Sequence, residues 1–185
     1  EALHLAGRYR RLGMDFSTCR GPTVQSSIAW SAALDKRYIW MSCGDAGRAV
    51  EFGAYCRRAA ALARSCRPWG LVAAIHNHMG TRVETQQELE DFLKAVPEAG
   101  IVFDTGHLSM AGGNPVDIVR KYHRRIAVFH LKDVFLTGEK QPDGRPAFRF
   151  CELGGGNNGF DNTDVLKAIR ETGWDGWIHV EHDHH

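Results

Sequence analysis

Apolar and polar positions along this chain follow two different periods, and the switches between them mark its elements. "EALHLAGRYRRLG" (1–13) carries Ala, Leu and Arg at helical spacing and stops at Gly13, which suits the left-handed end of a helix. "MDFSTC" (14–19) reads as a short strand and "YIWMSCG" (38–44) as another. The helical pattern "AVEFGAYCRRAAALARSC" (49–66) follows, then the apolar run "GLVAAIHNH" (70–78). A helix over "TQQELEDFLKAV" (85–96) starts at Thr85 with Glu88 three residues on, the spacing of a capping box. The series continues with the strand "GIVFDTGH" (100–107), the helix "PVDIVRKYHR" (115–124) and the strand "IAVFHLKD" (126–133). It closes with the helix "FDNTDVLKAIRETG" (160–173) and the strand "GWIHVEHD" (176–183).

Strands alternating with helices at intervals of roughly 30 residues imply βα units and a parallel sheet. No GxGxxG or GxxxxGK[ST] follows a strand, which weakens a nucleotide-binding sheet; "GGGNNG" (154–159) lies in a long loop instead. A (β/α)8 TIM barrel fits the rhythm, with six clear strands and a seventh offered around Phe148–Leu153. Such a barrel usually takes about 250 residues, against 185 here. The opening on a helix and the stop just after a strand predict an incomplete barrel, lacking its first strand and closing helix, in one domain over residues 1–185. The connection from Val134 to Phe160 is long, so "GEKQPDGRP" within it reads as the mobile tip of a lid or binding segment.

Composition narrows the function classes. Hydrophobic residues at 43% and charged residues at 24% are ordinary for a globular protein. A net charge of +1 invites neither nucleic acid nor an anionic membrane. No apolar run approaches the ~18 residues of a membrane span, and no signal peptide is visible. Cys19, Cys43, Cys56, Cys66 and Cys151 match neither a disulfide framework nor a CxxC zinc site, so they read as incidental thiols of a reducing, cytoplasmic compartment. Of the ten histidines, His182, His184 and His185 close the chain, where part of a purification tag is an alternative.

Four of the other histidines, His76, His78, His107 and His130, fall where chemistry is expected. The active face of a barrel lies at the carboxyl ends of its strands, and those ends hold His76 and His78, Asp104 and His107, His130 and Lys132, then Glu181 and Asp183. Residues two apart on a strand share a side. Imidazoles and carboxylates together suit Mn²⁺, Co²⁺, Mg²⁺ or Zn²⁺, and a cation with an open position polarises a carbonyl so that a base can take the neighbouring proton. Each residue also has a plainer reading. Asp104 could cap a turn, His76 could be a hydrogen-bonded core histidine, and His107 could pack under the "AGG" loop. Lys132 could be a solvated lysine and Glu84 a first-turn helix acid. Arg8, Arg10 and Arg11 read as a solvated helix face, and Trp174 and Trp177 as packing.

"HNHMGTRVET", "FDTGHLSMAGGNP", "FHLKDV" and "WDGWIHVEHD" together resemble the inosose dehydratase branch of the xylose isomerase-like barrel superfamily, over roughly residues 70–183. The resemblance implies that Asp104, His130 and Glu181 bind a divalent metal, with His76 or Glu84 as fourth ligand. It places His78, His107 and Lys132 as catalytic groups and Glu84 and Asp183 beside the substrate. Epimerases of the superfamily use two glutamates on opposite faces of the substrate carbon, and the loss of one favours a one-base elimination. The implied function is a metal-dependent lyase or isomerase of a keto-polyol or keto-sugar, with that small molecule as partner and a homo-oligomer left open. Three alternatives stand beside it: a sugar epimerase or isomerase, a type-IV apurinic endonuclease, and a non-catalytic sugar-binding barrel. The nuclease is disfavoured by charge and by Cys151 and Glu152 where an extra histidine is expected. "LGGGNNGF" departs from the LGEG of relatives, with glycine at the acidic position.

Overall fold

A computed structural model describes residues 2–41 and 47–183. The chain opens on α1 (Ala2–Arg11), ended by Gly13 at φ +67°, and α2 (Val24–Ala33). Helix α2 begins where the Thr23 hydroxyl accepts from the Ser26 N–H. Then come β1 (Tyr38–Met41), α3 (Phe52–Cys66), β2 (Val72–His76), α4 (Gln86–Ala95) and β3 (Gly100–Asp104). Helices α5 (Thr105–Met110) and α6 (Pro115–Tyr122) precede β4 (Ile126–Leu131). Strands β5 (Asp133–Lys140) and β6 (Pro146–Cys151), helix α7 (Asn162–Thr172) and β7 (Trp177–Val180) complete the order.

Five strands form a parallel sheet in the order β1-β2-β3-β4-β7, curved into a half-barrel with helices on its outer face. Strand alternation sorts the side chains. Ile39, Ile75, Ile101, Phe103, Phe129 and Leu131 point outward into the main core, where they meet Leu89, Phe92, Ile118 and Val165 of the helices. Full burial of such a side chain contributes about 1.5–3 kcal/mol. The inward set is smaller: Tyr38, Ala74, Val102 and Val128 form a separate apolar floor. Above this floor, toward the carboxyl ends, the inward positions turn polar. Among the described residues, no helix is long and apolar enough to cross a membrane.

Three sequence expectations are corrected. "MDFSTC" is not a strand: Asp15 binds the adjacent Phe16 N–H (2.8 Å), and Ser17 and Thr18 meet Tyr38 through their hydroxyls, so side chains replace a backbone ladder. "GIVFDTGH" stops being a strand at Asp104, whose carboxylate caps α5. The loop after Val134 is an antiparallel β5–β6 hairpin outside the barrel sheet, and Phe148–Cys151 belongs to it. The tip of this hairpin is a turn closed by Gln141 N–H to Arg145 O (2.8 Å), with Gly144 at φ +83°. Residues 42–44 of the expected first-half strand, Cys43 among them, and His184 and His185 lie outside the described residues.

Candidate metal centre

The four strand ends converge. His76 ends β2, Asp104 ends β3, His130 sits on β4, and Glu181 directly follows β7. One donor atom from each lies within 4.8 Å of every other. His76 Nε2 is 3.4 Å and His130 Nδ1 4.0 Å from Asp104 Oδ2, and His130 Nδ1 is 2.7 Å from Glu181 Oε2. Register explains the meeting: Asp104 pairs with His130 across the β3–β4 ladder, and Glu181 N–H bonds Leu131 O to extend β7 by one step.

The "DTGH" stretch gives each residue a separate task. Asp104 divides its oxygens, Oδ1 accepting from the His107 N–H (2.9 Å) while Oδ2 faces the cluster. The Thr105 hydroxyl accepts from Lys132 N–H (3.1 Å) and donates to Asn162 Oδ1 (3.0 Å), tying β3 to the end of β4 and to α7. Gly106 leaves room for the Lys132 stem, since a Cβ there would stand 2.9 Å from Lys132 Cβ and Cγ. His107 is buried, and its ring lies 3.6 Å from that of His78.

Lys132 is 1% exposed and closes the ring, with Nζ 2.9 Å from Asp183, 3.1 Å from Glu181 and 3.5 Å from Asp104. Three carboxylates against one ammonium leave two negative charges in surplus when the imidazoles are neutral. Two imidazoles, two carboxylates and that surplus fit a divalent cation.

The sequence matches the xylose isomerase-like TIM barrel family over residues 23–185. The chain belongs to that family. It is 34% identical to the rhizopine catabolism protein MocC of Rhizobium meliloti over 143 residues, 72% of this chain and 43% of that protein. It is 34% identical to an inosose dehydratase of Lacticaseibacillus casei over 131 residues, 65% of this chain and 43% of that enzyme. The chain thus spans less than half the length of these relatives. A crystal structure of the IolI protein with a bound zinc atom aligns at TM-score 0.59 and 18% identity, over 85% of this chain and 58% of the other, a likeness of fold.

Within this barrel the sequence-predicted residues fall into place unequally. His76, Asp104, His130 and Glu181 form the cluster; Lys132, His107 and Asp183 adjoin it, and His78 packs on His107 and within 5.3 Å of the His76 ring. Glu84, the alternative fourth ligand, stands outside. Its carboxylate accepts from Gly80 N–H (3.0 Å) and Arg48 (2.9 Å), and His76 is the side chain that lies with the other three. Asn77, fully buried, went unnoticed in the sequence. It donates to Asp104 O and accepts from Asp104 N–H, each at 2.9 Å, and so continues the β2–β3 ladder through a side chain. Its only mark in the sequence was its place between His76 and His78 at the end of the strand. Phe150 of β6 also went unnoticed; it lies edge-on to His107 (5.2 Å) and under Lys132 Nζ (4.5 Å). His179 was a third omission, despite standing two residues before Glu181 on the same side of β7. The glycine of "LGGGNNGF" at the acidic position is Gly155, where a Cβ would come 3.0 Å from the Glu152 carboxyl carbon and 3.1 Å from its backbone oxygen.

Electrostatics separate the groups. Burial pushes the Asp104 carboxyl up, but His76, His107 and Lys132 more than offset it and hold it far below the usual carboxylate range. The hydrogen bond from His130 lowers Glu181. Burial pulls Lys132 down, yet Asp104, Asp183 and Glu181 outweigh it, so the ammonium persists above its ordinary pKa. Burial lowers His76, and lowers His107 to about 3.

Proposed function

We propose that this chain carries the metal centre and proton-transfer groups of a divalent-metal-dependent lyase or isomerase acting on a keto-polyol or keto-sugar, with dehydration of an inosose-like ketone favoured. The observation that carries the reading is the convergence of His76, Asp104, His130 and Glu181 beside a histidine base and a buried ammonium. The relatives named inosose dehydratase support the lyase, and the zinc of the IolI structure supports a divalent cation. A cation held by the four donors supplies Lewis acidity, drawing electrons from a carbonyl and acidifying the C–H beside it.

The chain's own groups then divide the work. His78 donates its Nδ1–H to Met79 O (2.7 Å), since a carbonyl can only accept, which leaves Nε2 as the nitrogen to act as a base. His107 is a poorer base, being buried with its pKa near 3, and it serves to hold the His78 ring. Lys132 is the fixed positive charge that steadies an oxyanion. In the dehydration, His78 takes the proton alpha to the carbonyl and the C–H electrons form a C=C bond. The carbon–oxygen bond at the next carbon breaks, and hydroxide leaves as water with the proton His78 holds.

The test is His78→Ala in the full-length protein, assayed on a panel of keto-inositols and keto-sugars with metal content measured alongside. Turnover is expected to fall by at least ~10²-fold with metal retained. Unchanged turnover removes His78 from the reaction. A product lighter by one water identifies the lyase, and an isomeric product the isomerase.

A further inference from the structure

His130 uses both of its ring nitrogens, and they point to different neighbours. Nδ1 faces the cluster, 2.7 Å from Glu181 and 4.0 Å from Asp104. Nε2 faces away from those carboxylates, 3.3 Å from Nδ1 of His179. The contact is built into the sheet: His130 and His179 are register partners in the parallel β4–β7 ladder, and their rings lie 5.2 Å apart at 40°. Both side chains therefore point inward at the same level, just above the apolar floor.

A nitrogen that binds a cation must present its lone pair, so the proton of a neutral imidazole has to sit on the other nitrogen. For His130 that other nitrogen is Nε2, and among the described residues the hydrogen-bond partner facing it is His179. We propose that His179 is a positioning residue of the metal centre. Without a cation the His130 Nδ1–H donates to Glu181 (2.7 Å); with a cation at the cluster, His179 Nδ1 would accept the His130 Nε2–H and so hold His130 in the tautomer and ring orientation that turn the Nδ1 lone pair toward the cation. This rests on the reading of the four-residue cluster as a metal site. A partner of this kind fixes the ligand's geometry and its basicity, and its loss typically costs about 10–100-fold in metal affinity. Asn77 does the corresponding work for Asp104, through the backbone rather than the side chain.

The requirement is an acceptor at the position of His179 Nδ1, which separates the role from packing. His179→Phe keeps a ring but has no acceptor; His179→Gln keeps an acceptor without the ring. Co²⁺ titrations of the full-length protein, followed by calorimetry and by the visible d–d bands, with Zn²⁺ competition, read the site without any assay of turnover. The expected result is a 10–100-fold weaker Co²⁺ affinity and altered bands in His179→Phe, with most of the affinity recovered in His179→Gln. The melting temperature of the metal-free protein should stay close to wild type in the Gln variant. Equal affinity in all three proteins overturns the proposal, as does an equal loss in both variants, which assigns His179 to packing. A wild-type protein that takes up no Co²⁺ overturns the metal-site reading itself, and this proposal with it.

Discussion

At the scale of single residues, Lys132 decides how the site behaves without a cation. Its ammonium is the buried positive charge among Asp104, Glu181 and Asp183. Glu181 and Asp183 keep about a third of their side-chain surface in solvent, at 32% and 37%, so water screens them, and fully buried Asp104 carries most of the interaction. Removing one partner of a buried pair leaves the other charge uncompensated, at a cost of roughly 3 kcal/mol. Lys132→Met is therefore expected to lower the melting temperature sharply in a chelator. Added Zn²⁺ should raise the variant's midpoint by more than it raises that of wild type, because the variant leaves a third surplus negative charge for the cation to neutralise. Equal midpoints for the two proteins in chelator would show that Lys132 does not balance the cluster.

At the scale of elements, short helix α5 and its capping residue link stability to the site. Asp104 ends β3, caps α5 and offers Oδ2 to the cluster, so a change in α5 is felt at the donors. Gly106→Ala places a methyl 2.9 Å from Lys132 Cβ and Cγ and 3.2 Å from Lys132 O. Overpacking of this kind costs about 1–3 kcal/mol. The variant should melt earlier and lose turnover while all four donors remain, and a wild-type melting temperature would show that the close approach is relieved without strain. Elements with a strong local pattern were legible before any coordinates. The Thr85–Glu88 capping box forms as its spacing indicates, with Thr85 Oγ1 accepting from Glu88 N–H and Glu88 accepting from Thr85 N–H. Helix α2 was not legible, since "VQSSIAWSAA" has no clear polar face. The β5–β6 hairpin was missed although "PDG" marks its turn, because its length suggested a loop.

At the scale of the whole molecule, pH acts on the metal-free protein through groups on several strands. His76 and His107 have folded pKa values below the ordinary 6.5, His107 near 3, so the fold favours their neutral forms. Their contribution is complete above pH 6.5 and is lost as pH falls toward 3, because the unfolded chain then binds more protons. Asp104 and Glu181 are also lowered, and they add a second loss below their ordinary values of 3.8 and 4.5. Urea melts in a chelator should be level from pH 8 to about pH 6.5, then decline by up to about 1.4 kcal/mol per pH unit for each histidine. Constant stability between pH 6.5 and 4.5 would contradict the burial of these two rings.

The sequence alone determined the alternation of helices and strands, the barrel class and the polar residues at the strand ends, because hydrophobic period and capping are local properties that short segments display. The resemblance to the xylose isomerase-like barrels singled out Asp104, His130 and Glu181 among them as residues able to share a cation. Only the tertiary structure brought His76 beside those three, while Arg48, from a distant turn, engages Glu84. Only the structure, too, set His179 against His130, Asn77 against Asp104 and Phe150 under Lys132. Those contacts depend on strand register and on a hairpin folding back over the barrel mouth, and no window of the sequence contains both partners.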